Sequence, residues 1–80
     1  MTETTYDADT TIDARGATCP GPLMDLIGKV KTADPGTVIE LVTSDSSSKN
    51  DVPEWVETAG HELLGIEEED DHWRIYVEIA

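Results

Sequence analysis

Basic and sulfur-containing side chains are scarce in this 80-residue chain. It has five Lys and Arg residues against 18 Asp and Glu, a net charge of −13, and a single cysteine. One thiol can neither close an internal disulfide nor supply a tetrahedral metal site, so we expect no metal and a fold stabilised by packing alone. The lack of a basic surface disfavours direct binding to nucleic acid or to anionic membranes. No apolar run approaches the roughly 18 residues of a membrane-spanning helix.

The acidic residues are distributed along the whole chain rather than collected at one end. So dense a negative charge repels itself, and at about 1 M salt, where the Debye length is roughly 3 Å, most of that repulsion is screened. We interpret the composition as adaptation to a salt-rich, halophilic cytoplasm; an ordinary acidic protein with an acidic tail is the alternative. Residues 1–11 also lack the basic and apolar segments of a secretory signal, so we expect a cytoplasmic protein.

Apolar periodicity divides the chain into a short tail and one domain. Residues 1–9 show no such periodicity and are expected to form a disordered acidic tail, whereas residues 10–80 form a single domain. Strands are predicted over residues 10–14, 37–43, 62–68 and 73–79, and helices over residues 22–31 and 52–59. Asp51 is the predicted N-cap of the second helix, after a polar loop over residues 44–50.

The predicted element order is β-α-β-α-β-β. Two amphipathic helices on one face of a four-stranded mixed sheet make a two-layer α/β (α+β) sandwich. The second sheet face is more polar and is expected to meet solvent or a partner. His72 lies in the predicted hairpin turn over residues 69–72 and is expected to be solvated.

Cys19 lies directly before the first predicted helix, in the sequence Thr-Cys-Pro-Gly-Pro. The unpaired N–H groups and the positive dipole end of a helix N-terminus stabilise a thiolate, which is the nucleophilic form of cysteine. Pro20 and Pro22 restrict the backbone on either side of Gly21, which predicts a rigid corner that another protein can approach. A buried structural thiol is the alternative, since free cysteine is often buried.

The sequence of residues 13–22, Asp-Ala-Arg-Gly-Ala-Thr-Cys-Pro-Gly-Pro, resembles the signature of the TusA/SirA/YedF family of small sulfur carriers. That signature is an Arg-Gly step followed by Cys-Pro-x-Pro at the start of the first helix. Residues 35–36, 43–45 and 51–64 also agree with the family pattern, and the similarity covers residues 10–79. It implies a β-α-β-α-β-β sandwich and a persulfide carried on Cys19.

The resemblance further implies that the sulfur comes from a cysteine desulfurase and passes to a second protein. The donor contains pyridoxal phosphate, whereas the carrier needs no cofactor. Family destinations include tRNA thiolation, molybdenum cofactor synthesis and dissimilatory sulfur metabolism. Such a carrier acts stoichiometrically within a relay, so its classification as an enzyme stays open, and we expect a monomer.

Candidate binding residues surround Cys19 in the sequence or follow the second strand. They are Arg15, Gly16, Pro20, Gly21, Pro22 and Asp45. Arg15 could steer a persulfide anion or bind a partner carboxylate, although a salt bridge with Asp13 is favoured. Asp45 could hydrogen-bond the Cys19 loop, although capping of the next segment is favoured.

Two other functional classes remain open. One is a regulatory or scaffold module that uses the polar sheet face and needs no thiol. The other is a redox sensor in which Cys19 forms a sulfenic acid or a mixed disulfide.

The interpretation of the acidity predicts a salt-dependent stability. We expect the melting temperature to rise steadily between low salt and molar KCl, because the added ions screen the repulsion among the carboxylates. Calorimetric melts across a KCl series measure this. A melting temperature that does not change over the series would contradict adaptation to a salt-rich cytoplasm.

Overall fold

In the computed structural model, which describes residues 8–16 and 21–80, two helices and four strands alternate in the predicted order. They are β1 (Thr10–Asp13), α1 (Gly21–Val30), β2 (Val38–Thr43), α2 (Ser48–Ala59), β3 (Glu62–Glu68) and β4 (Trp73–Glu78). The predicted two-layer fold with a mixed sheet is confirmed. Most of the predicted tail, residues 1–7, lies outside the described residues. At its far end, Asp9 pairs with Val38 through its backbone N–H and its carboxylate.

The sheet has the strand order β1-β2-β4-β3, so β1 and β3 are its edges. β1 pairs with β2 in parallel, and the other two pairs are antiparallel. Parallel neighbours cannot be joined by a tight turn, and α1 supplies the crossover between them. The pairing of β3 with β4 shifts register between Leu63 and Gly65.

The hydrophobic core lies between the helices and one face of the sheet. β2 shows strict alternation, with Ile39, Leu41 and Thr43 buried, as the period-two pattern predicts. β4 contributes Ile75 and Val77 to the same layer. Each helix adds one apolar stripe to the core. Leu26 is fully buried in α1, and Val52 and Val56 are fully buried in α2. In the part of the chain that is described, no helix is long and apolar enough to cross a bilayer.

The second helix begins earlier than predicted. The loop over residues 44–50 and the Asp51 cap were wrong, because α2 starts at Ser48 with Ser47 as its N-cap. The Asp45 carboxylate accepts hydrogen bonds from the Ser47 N–H and the Ser48 hydroxyl, at 3.4 and 3.5 Å. Ser47 itself makes no side-chain cap bond, so the Asp45 carboxylate holds the start of a helix that apolar spacing alone does not detect.

The face of the sheet without helices, which we call the open face, carries its polar side chains in rows across the strands. One row runs from Thr11 through Glu40 and Tyr76 to Gly65. Tyr76 is fully buried in this row. Its hydroxyl donates to Glu40 Oε2 and the Thr11 hydroxyl donates to Glu40 Oε1, both at 2.9 Å. The open face is therefore polar, as predicted, but it contains a fully buried aromatic ring that the alternation did not indicate.

The buried tyrosine predicts a loss of stability at high pH. Burial, with the hydrogen bond to Glu40 and its charge, raises the pKa of Tyr76 to about 12. An unfolded tyrosine titrates near pH 10, so this contribution is complete below about pH 10 and is lost between about pH 10 and pH 12. In Tyr76→Phe we expect this alkaline step to disappear from the urea-unfolding free energy measured against pH. If the variant lost the same free energy of unfolding between about pH 10 and pH 12, the loss would come from groups other than Tyr76.

Candidate functional site

The segment that leads to Cys19 is fixed to the carboxyl end of β2. Past the end of β1, the Ala14 N–H donates to the Val42 carbonyl at 2.7 Å. The Gly16 N–H then donates to the Ser44 hydroxyl at 2.9 Å. Gly16 has a φ of +89°, a left-handed conformation that favours glycine. The Arg-Gly step therefore turns the chain from β1 toward α1, while Cys19 and Pro20 lie outside the described residues.

The described chain resumes at the first residue of α1. Gly21 is half-buried and begins the helix, and the buried ring of Pro22 anchors its first turn in the core. No acidic residue lies in the first turn, and Lys29 lies in the last. The unpaired N–H groups at the start of α1 therefore have no carboxylate beside them in the first turn. This favours the binding of an anion at this end of the helix.

Asp45 lies at the same end of the sheet, two residues after β2. Its N–H donates to the Thr43 hydroxyl at 3.1 Å, and its carboxylate accepts the two hydrogen bonds from the start of α2. These contacts agree with the capping role that the sequence favours. Ser44 accepts a hydrogen bond from the Arg-Gly step, a contact that its place in the sequence does not predict. It is the pairing of β1 with β2 that brings Ser44 beside Gly16.

Arg15 forms the predicted salt bridge with Asp13. Its Nε and Nη2 atoms lie 3.0 Å from the two carboxylate oxygens, a bidentate pair. These hydrogen bonds from Arg15 lower the pKa of Asp13. Both side chains are more than half exposed, so the pair adds little stability but holds the guanidinium in one orientation.

The Arg15–Asp13 pair forms one wall of a cleft of about 300 Å³ on the open face. Val42 lies at its floor, and Arg74 and His72 form the opposite wall. The expectation that His72 is solvated was wrong, since its side chain is only 14% exposed and its Nδ1 lies 2.6 Å from Asp71 Oδ1. The cleft could not be predicted from the sequence, because only the strand order β1-β2-β4 places these side chains together.

Among residues 8–16 and 21–80, no three His, Cys, Asp or Glu side chains are grouped so that they could hold a metal ion.

Gly16 and Gly28 provide a matched test of the backbone at the Arg-Gly step. An added Cβ would meet no atom within 4 Å at either position, but only Gly16 has a positive φ. We expect Gly16→Ala to lower the unfolding free energy by about 1–2 kcal/mol. Gly28→Ala, inside α1, is expected to raise it by about 0.5–1 kcal/mol. Urea unfolding measures both, and effects of the same sign would contradict a conformational role for Gly16.

Comparison with known proteins supports the resemblance noted in the sequence. The family model described as "Sulfurtransferase TusA" matches residues 10–79. An Archaeoglobus fulgidus protein whose name includes the words sulfur carrier protein is 53% identical over 66 residues, covering 82% of this chain and 90% of that protein. The sulfur carrier protein TusA of Pseudomonas entomophila is 41% identical over 69 residues, 86% of this chain and 84% of that one.

A solved structure shows the same fold. The crystal structure of a SirA-like protein from Desulfitobacterium hafniense superposes with a TM-score of 0.77 at 20% identity. The match covers 86% of this chain and 95% of that one. The match to the family model and the identity with the Archaeoglobus fulgidus protein show that the chain belongs to the TusA family of sulfur carrier proteins.

Proposed function

We propose that this protein carries sulfane sulfur as a persulfide on Cys19. The observation that carries the proposal is the position of the only thiol of the chain, in a Cys-Pro-Gly-Pro sequence inside the residues that match the TusA family. In a chain with one cysteine, sulfur accepted from a donor can be held by no other side chain as a persulfide. No resolving thiol is needed, because the sulfur leaves on the acceptor protein.

The proposed step is an exchange between two sulfur atoms. The Cys19 thiolate attacks the outer sulfur of a donor persulfide, forming one S–S bond while the S–S bond of the donor breaks. The donor leaves as a thiolate, and Cys19 becomes a persulfide. Delivery repeats the step in the opposite sense, when an acceptor thiolate attacks the outer sulfur on Cys19. No electrons are gained or lost overall.

The described residues on both sides of Cys19 support this chemistry. The Gly16–Ser44 hydrogen bond and the buried Pro22 fix the chain before and after the thiol. The first turn of α1 contains no carboxylate that would raise the pKa of a nearby thiol. Anchored segments on both sides of a nucleophile reduce the conformational entropy that is lost when a partner protein docks.

We propose a cysteine desulfurase as the donor and a second protein as the acceptor, with the carrier acting as a monomer in the cytoplasm. The carrier uses no cofactor of its own, because pyridoxal phosphate chemistry takes place in the donor. A relay toward tRNA thiolation or molybdenum cofactor synthesis fits a stoichiometric carrier.

Intact-protein mass spectrometry tests the proposal. After incubation with a cysteine desulfurase and cysteine, we expect the wild-type protein to gain one sulfur atom, about 32 Da, which a reductant removes. Cys19→Ser is the matched control and should gain nothing. An unmodified wild type, or the same gain in Cys19→Ser, would contradict the proposal. Labelling of the wild type by dimedone under mild peroxide, without sulfur loading, would favour the redox sensor instead.

A further inference from the structure

The cleft on the open face contains both arginines of the chain. Arg15 and Arg74 are two of only five basic residues, and they form opposite walls of the same cavity. Asp13, Val42 and Arg74 are paired across β1, β2 and β4, so Val42 lies between the two charged walls. The spacing of neighbouring strands puts the backbones of the outer two roughly 10 Å apart.

The cleft presents both signs of charge. On the β1 side, Asp13 occupies two of the five N–H donors of Arg15 and keeps its own charge. On the β4 side, Arg74 hydrogen-bonds Tyr76, which raises the Arg74 pKa, and its Nε lies 3.7 Å from a carboxylate oxygen of Glu40. Its Nε lies at the same distance from a carboxylate oxygen of Glu69. Contacts of 3.7 Å are too long for hydrogen bonds, so Arg74 can keep its bond to Tyr76 and still offer other N–H donors to a ligand.

The charge of the whole protein restricts the ligand. At low salt, a net charge of −13 repels a simple anion from clefts on this surface. A zwitterion has no net charge, so it avoids this repulsion and still offers a carboxylate to the arginines and an ammonium group to Asp13 or Glu40. The volume of about 300 Å³ is at the lower limit for small-molecule sites, which suits a ligand of amino-acid size.

We propose that this cleft binds a free zwitterionic α-amino acid with a short apolar side chain. The ligand carboxylate binds between Arg15 and Arg74, its ammonium group faces Asp13 and Glu40, and its side chain contacts Val42. The site is distinct from the sulfur relay proposed above, because it uses no atom of Cys19.

NMR titration of the Cys19→Ser protein tests the site without any sulfur transfer. The probe is S-methyl-L-cysteine, whose sulfur is blocked, and the signals are the Val42 methyl groups and the Arg74 Nε–H. We expect saturable shifts of both signals with a single dissociation constant, at low salt and in molar KCl. Propionate and ethylamine, which each keep one of the two charges, should bind at least about tenfold more weakly, a difference of about 1.4 kcal/mol.

Arg74→Gln and Lys29→Gln are matched variants, since each removes one positive charge but Lys29 lies on α1, away from the cleft. Arg74→Gln should weaken binding at least about tenfold, and Lys29→Gln should change it less than about twofold. Arg15→Gln replaces Arg74→Gln if circular dichroism shows that the latter does not fold. Absence of saturable shifts, equal binding of propionate, or equal losses in the arginine and lysine variants would overturn the proposal. None of these outcomes bears on sulfur loading of Cys19, which is measured separately.

Discussion

β1 is an edge strand of four residues, and its parallel pairing with β2 places the described residues that precede the Cys-Pro-Gly-Pro sequence. Asp9 attaches one end of β1 to Val38, and Ala14 attaches the other end to Val42. Parallel pairing brings the carboxyl ends of both strands to the same end of the sheet. The Gly16 turn and the start of α1 follow there. Side chains outside these ends are the usual place for functional groups in open α/β sheets.

The fold could be predicted from the sequence because each element has a regular apolar pattern. β3 begins and ends at the predicted residues, and α1 differs by one residue at each end. The start of α2 could not be predicted in this way, because it depends on hydrogen bonds among serines and Asp45 rather than on apolar spacing. Local patterns are sufficient where burial sets the structure, and they fail where single polar contacts set it.

The same distinction applies to the candidate site: its local motif could be predicted from the sequence, and its cleft could not. A motif of adjacent residues identified Cys19, Gly16 and Pro22, because helix starts and tight turns are local features of a sequence. The cleft beside Arg15 depends instead on residues far apart in the chain that meet only through the strand order. Arg74 lies 59 positions after Arg15 in the printed sequence, and no periodicity relates the two. The contacts of Tyr76 have the same origin, since its hydroxyl donates to Glu40 on β2, and Thr11 on β1 donates to the other oxygen of that carboxylate.

The register shift in β3 has a consequence for contacts between copies of the protein. A free strand at the edge of a sheet can add further strands, and a bulge there twists its backbone away from the flat alignment that such addition needs. Glu62 also lies directly opposite Glu78 at the start of this edge, which gathers negative charge beside it. The irregular, acidic border therefore opposes the edge-to-edge addition of strands that builds fibrils.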